Sequence, residues 1–391
     1  MSTRRLSRGT VAGYSAGSIG TGGFSTLPGL VLLPYLTDEY GVAAGVAGLV
    51  VALPKTWDIL FNPVVGRWSD RTRSRWGPRI PWMTAGAMAL PLAFIVMFAG
   101  IPLGPSSAAF WVAVTFTLAA SAFALFQVPY IAQPAEITDS YDERTLLMSW
   151  RIAALTFAIL VFGGGGPALV NAAGGGLGGY RAMAVVCGLL FLLGMGACVL
   201  LTRRAPTLLR ADSEGGFRDQ VRAIRENREF RVLFTAFVLQ ALATSTMLAG
   251  VLYLAQWVLG SKGLESLLFV ALVAPGILFI PMWRLIGKRW GKRTGFVAAS
   301  VTFLVAALVL VAARSLPLAV VFVAVAAAGV GYAGLQLFPL AMLPDTIAAD
   351  TVRTGHRRSG VFTGVWTAGE TAGFALGPAL FALVLSLGGY V

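Results

Sequence analysis

Long apolar runs alternate along this chain with short, mostly basic connections. The stretches 188–202, 297–313 and 318–335 contain no charged residue at all. A helix that crosses a bilayer needs about 20 mostly apolar residues. On that measure the pattern predicts eleven helical spans, near 10–36, 42–66, 80–100, 108–134, 149–172, 180–202, 230–259, 265–287, 295–313, 317–343 and 359–388. The repeat of span, short loop, span predicts an all-α polytopic membrane protein and excludes a single anchor on a soluble domain. The glycine run 163–166, followed by Pro167, predicts a flexible or broken stretch in the fifth span.

Composition agrees with that reading. Hydrophobic residues make up 57% of the chain and charged residues 12%, against about 25% charged in an ordinary soluble domain. The basic start leads into a long glycine-rich span with no convincing small-residue cleavage site, so it reads as a first span and not as a cleaved leader. Cys187 and Cys198, in one apolar run, read as packing residues, and a single histidine leaves no room for a zinc cluster. No GxxxxGK[ST] segment is present, which argues against direct drive by ATP. No bound cofactor is expected.

The net charge of +13 changes the picture only through its placement. Arginines and lysines crowd alternate connections: Arg4, Arg5 and Arg8 at the start, Arg67 to Arg79, Arg144, 203–231, Arg284 to Arg293, and Arg353 to Arg358. The intervening connections hold only Arg181, Lys262 and Arg314. This is the positive-inside pattern, which predicts a cytoplasmic N-terminus in the inner membrane and removes nucleic acid as the reason for the charge. The one long polar connection divides the chain into a six-helix bundle over 1–202, a cytoplasmic linker over 203–229 and a second bundle over 230–391. The Gly66–Arg71 segment after the second span has a faint counterpart in 283–289 after the eighth. Likewise 134–139 is echoed by 343–346.

Taken in order, several segments resemble the glycoside–pentoside–hexuronide cation symporters of the major facilitator superfamily. Tyr35-Leu36-Thr37-Asp38 is similar to that family's YxTD, and Lys55-Thr56-Trp57-Asp58 through Asn62-Pro63 to its [RK]xWDxxxDP. Val128-Pro129-Tyr130 with Glu136-Ile137-Thr138, then Glu143-Arg144 with Arg151, resemble its PY…EhT and ERxxxxxxR elements. Asp345, Asp350 and Thr354-Gly355-His356-Arg357-Arg358-Ser359-Gly360 resemble its acidic stretch and TGxRxxG. The resemblance implies the major facilitator fold, two pseudo-symmetric bundles of six spans, working as a monomer by alternating access. Twelve spans are then expected against eleven visible, so the second bundle is expected to lack its last span. The chain departs from the family at its polar centre. A cation-ligand aspartate is Asn62, an acid of the fourth span is Gln127, the sugar-contacting acid of the first span falls near Gly22, and the lysine of the eleventh is Glu370.

Charged side chains inside a membrane are expensive and mark cavities or partners. Lys55, Asp58 and Asn62 share one helical face. Asp58, Glu370 and Asn62 are candidates for cation or proton coupling. Lys55 and Arg151 are candidates for anionic or hydroxyl-rich substrate groups, with Gln127, Tyr130, Tyr14, Trp57 and Trp366 as further lining. The alternative is a fixed Lys55–Asp58 pair and ordinary aromatic packing. A gate is expected where Asp70, Arg71, Glu136, Asp139 and Arg144 gather in the first half and Asp345, Asp350, Arg357 and Arg358 in the second. Asp70 would accept hydrogen bonds from a neighbouring helix end or from arginines. Three functions follow: a proton- or cation-coupled symporter of a glycoside-like solute, a transporter of an amphiphile, lysolipid or natural product, and a transport-dead sensor or assembly protein on the same fold. An enzyme is disfavoured, since no nucleophile and base are paired.

Overall fold

A computed structural model describes residues 6–138, 140–205, 224–254, 258–260, 265–355 and 358–387. Eleven helical segments run through them, and no strand occurs among the described residues. They are α1 (Arg8–Pro34, extended by a π-turn at Tyr35–Glu39), α2 (Ala44–Arg71), α3 (Ile80–Met97), α4 (Pro105–Ala132), α5 (Tyr141–Ala172) and α6 (Gly176–Thr202). There follow α7 (Arg228–Tyr253), α8 in three pieces (Glu265–Val273, Pro275–Leu278, Ile280–Trp290), α9 (Lys292–Val311), α10 (Leu318–Thr354) and α11 (Ser359–Leu387). Among the described residues, eight helices are long and apolar enough to cross a membrane, and the bent pair in α8 makes nine.

Two corrections concern helix continuity. The glycine run 163–166 does not break α5, which is continuous from Tyr141 to Ala172. A Cβ at Gly166 would strike Leu27 of α1, and one at Gly163 would touch Thr26 and Leu30, so this run lets two helices approach. The eighth span, expected to be continuous, bends by 50°. Pro275 and Pro281 supply no backbone N–H and clash with the preceding turn, which explains the interruptions. Two ends also differ. Helix α5 begins at Tyr141 because Ser140 caps it, accepting from the Glu143 N–H. Helix α10 runs on through Pro339 and Pro344 to Thr354.

The chain forms two compact units. The first comprises residues 1–224 together with 347–368, the end of α10 and the start of α11. Within it α1 packs against α5 and α6, α3 against α4 and α6, and α2 against α4. Glycine makes the α1 contacts possible: side chains at Gly13, Gly20 and Gly23 would collide with Leu201, Met195, and Phe191 with Phe162. The second unit holds 225–346 and 369–391. Its apolar core gathers Leu268, Leu272, Ala306, Val321, Val325 and Ala328. There Gly369 and Gly373 of α11 face Phe234, Val238 and Ala241 of α7, and Ser245 donates to the Gly373 carbonyl at 3.0 Å.

Candidate functional site

A polar constellation sits inside the first unit. Tyr14 and Tyr130 exchange hydrogen bonds with one another's carbonyls at 3.1 and 2.6 Å, and their rings lie 4.5 Å apart. Ser18 adds a 3.0 Å bond to the Tyr130 hydroxyl. The Arg151 guanidinium lies 5.3 Å from the Tyr130 ring centroid and is 2% exposed. Its Nε and Nη1 have no hydrogen-bond partner. Among the described residues of this unit, further buried oxygens without a partner include Thr21 Oγ1, Asp58 Oδ1, Asn62 Oδ1, Gln127 Oε1 and Gln133 Oε1. Buried polar groups are nearly always satisfied, so such exceptions signal a ligand or water.

The structure spreads the remaining lining candidates more widely. Lys55 is exposed and Asp58 half-buried. Among the described residues they form no ion pair, although Lys55 is the charged neighbour that acts on Asp58. Trp57 is largely exposed and donates to Ser121 Oγ at 2.8 Å. Trp366 is wholly buried in the first unit. In the second unit, Glu370 is half-buried within electrostatic reach of Tyr332, whose hydroxyl accepts from Gln336.

A second, tighter site ties α2, the N-cap of α3, the short turn Pro134–Ile137 that follows α4 and the start of α11 together. Arg79, 3% exposed, is its centre. Its Nη2 donates to Glu136 Oε1 at 2.6 Å, and Nε donates to the same oxygen at 3.0 Å. The same guanidinium also donates to Asp70 Oδ1, Ser69 Oγ and Ser359 Oγ. Asp70 in turn accepts the Gly360 N–H at 2.7 Å and the Val361 N–H at 2.9 Å. Those are first-turn donors of α11 that no carbonyl of the helix can satisfy, and a carboxylate there also meets the positive end of the helix dipole. Burial alone would push the Arg79 guanidinium down, but the carboxylates of Glu136 and Asp70 outweigh it and hold it above its ordinary value. Close backbone approach is built in, since a Cβ on Gly66 would meet the Gly360 carbonyl and one on Gly360 the Gly66 carbonyl.

Of the other gate candidates, Arg144 is buried and donates to the Thr138 carbonyl at 2.9 Å. Beside it Glu143 accepts from Thr138 Oγ1 at 2.6 Å and from the Leu6 N–H at 2.7 Å. Arg71 is exposed at the end of α2. Asp350 pairs with Arg353 at 3.0 Å, and Asp345 with buried Lys292 at 2.6 Å. The Arg358 carbonyl accepts from Phe362 at the start of α11. Asp139 and Arg357 lie outside the described residues, as does most of the linker. Sequence reasoning did not single out Arg79, Ser69, Ser359 or Lys292. One signal was available for two of them: Arg79 and Lys292 hold matching places, directly before α3 and at the first residue of α9.

The family model described as MFS/sugar transport protein matches residues 13–391. The inner membrane symporter YicJ of Escherichia coli is 26% identical over 92% of this chain and 78% of its own length. The glucuronide carrier protein homolog of the same organism is 25% identical, over 99% and 85%. The sodium-dependent lysophosphatidylcholine symporter 1 of Gallus gallus is 22% identical, over 85% and 69%. Among solved structures, the human organic anion transporter MFSD10 superposes with a TM-score of 0.75 at 16% identity, covering 99% of this chain and 96% of that one. At that identity the likeness speaks for the fold. The chain belongs to the MFS/sugar transport protein family and, with its symporter relatives, to the glycoside–pentoside–hexuronide cation symporters: it is a multi-pass secondary active transporter and not an enzyme.

Proposed function

We propose that this transporter couples uptake of a small hydroxyl-rich solute bearing an anionic group to proton entry, by alternating access. The observation that carries the proposal is Arg151, buried with two nitrogens unpartnered and held over the Tyr130 ring. A buried guanidinium with two nitrogens lacking acceptors is costly, and a carboxylate fits its planar fork in a bidentate manner. Gln127 and Thr21 offer the unpartnered oxygens that sugar hydroxyls would donate to. A relative named as a glucuronide carrier homolog agrees with this chemistry. Asp58 and Glu370 are the titratable groups for coupling, with Asn62 a neutral companion that disfavours sodium. Lys55, Tyr14 and Trp366 complete the proposed lining, whereas Trp57 stands on the exposed face of α2 and takes no part in it. The knot around Arg79, Asp70 and Glu136 is the proposed cytoplasmic latch, with Arg71, Asp139 and Arg144 beside it. Asp345, Asp350, Arg357 and Arg358 are its proposed counterparts in the second half.

The same reading places bundles at 1–202 and 230–391, a cytoplasmic linker at 203–229, the N-terminus in the cytoplasm and a monomer in the inner membrane. In proteoliposomes, a glucuronide is expected to enter faster than its neutral glucoside. Uptake should stop when a protonophore collapses the proton gradient, and Glu370→Gln should leave exchange but abolish accumulation. Sodium-driven uptake indifferent to both treatments would refute the coupling.

A second reading has its own support. A Cβ at Gly22 would meet Ala158 and the Leu155 carbonyl, so that position is closed by helix packing and offers no sugar-contacting acid. A relative is named as a lysophosphatidylcholine symporter. Thermal stabilisation by a lysophospholipid, with none by any glycoside, would establish an amphiphile as the substrate.

A further inference from the structure

One cation of α2 stands apart from the latch. Arg67 forms no hydrogen bond or ion pair among the described residues, and its Nε is buried without an acceptor. With Arg71, one turn further on, it lines a cavity of about 300 Å³ whose other walls are Pro63, Val64 and Trp68. A guanidinium there lacks the oxygen acceptor that would offset its partial burial. The fork of N–H donors matches a phosphate better than any other common anion of a membrane surface. Among the described residues the lining contains no carboxylate that would receive an ammonium headgroup.

The surroundings identify the source of that phosphate. Val64, Leu60, Trp57 and Leu53 are 39%, 67%, 41% and 56% exposed, and they recur every three or four residues along one face of α2. This apolar strip leads away from the cavity for about 16 Å at the helical rise of 1.5 Å per residue. Trp68 stacks on Trp82 at 5.7 Å, and indoles of this kind settle at headgroup depth. A free phosphate would use the arginines and leave the strip without a role, whereas a phospholipid uses both.

We propose that Arg67 and Arg71 bind the phosphate of an anionic phospholipid whose acyl chain lies along Val64, Leu60 and Trp57. The test is lipid retention by the full chain in detergent, read by native mass spectrometry with added phosphatidylglycerol or phosphatidylcholine. Phosphatidylglycerol should be retained over phosphatidylcholine. R67Q should weaken its binding about fivefold, the expectation for losing one basic contact with an anionic lipid. R67K, which keeps the charge without the fork, should fall between. R75Q, whose arginine stacks on Trp76 and does not line the cavity, should match the unaltered chain. Equal retention of the two lipids, or phosphatidylglycerol binding untouched by both Arg67 variants, would overturn the proposal. Displacement of the lipid by inorganic phosphate would assign the cavity to the free ion and overturn it as well.

Discussion

A guanidinium carries five N–H donors and no acceptor, so it is stable in a protein interior only where oxygens surround it. Arg79 meets that demand with two carboxylates and two serine hydroxyls. Asp70 serves two masters, since the same carboxylate that faces Arg79 also receives the first N–H groups of α11. Asp70→Asn keeps an acceptor for the helix end but removes one of the two charges facing Arg79. Breaking a buried pair costs about 3–5 kcal/mol, and the substitution should approach the lower figure in destabilising the latched form. The expected result is slower transport with undiminished protein in the membrane, checked by uptake beside an immunoblot. Unchanged uptake would remove the latch from the transport cycle. Arg151 presents the opposite case, a guanidinium whose missing oxygens are left for a ligand to supply.

At the scale of helices, glycine decides which pairs can touch. Gly66 and Gly360 bring the backbones of α2 and α11 so close that each occupies the place of the other's Cβ. Gly66→Val should therefore cost about 1–3 kcal/mol through overpacking and lower the melting temperature of the purified protein. Gly164 is the contrasting case, since a Cβ there meets nothing within 4 Å and the residue lies inside α5. Gly164→Ala should stabilise the protein by about 0.5–1 kcal/mol, the difference in helix propensity, seen as a raised melting temperature. The run 163–166 looked like a weak point because propensity is a local property, and local propensity does not include the Leu27 side chain waiting on α1. The interruption of α8 was equally open to reading, since Pro275 and Pro281 stand in the sequence. An apolar window registers hydropathy and passes over the missing donors.

For the molecule as a whole, topology and coupling are the quantities to measure. Single cysteines replacing Arg75 and Arg314 should react with membrane-impermeant reagents from opposite sides, the first only from the cytoplasm. Labelling of both from one side would reverse or break the proposed orientation. The sequence alone determined that the chain spans the membrane repeatedly and which loops carry the positive charge. Transfer of a segment into lipid and attraction of basic loops depend on composition within about 20 residues, so no distant contact is needed to read them. The family's ordered motifs added the fold, and they pointed to Asp70, Glu136, Tyr130 and Arg151 as polar positions worth watching. Only the tertiary structure decided which arginine in the crowded run from Arg67 to Arg79 is buried and which is left facing a cavity. That choice rests on Glu136, 57 residues away, and on Ser359, 280 residues away. Five arginines in one short stretch are alike to any local measure. They become different when folding brings two carboxylates and a helix end to one of them, because a buried charge is tolerated only where its partners converge.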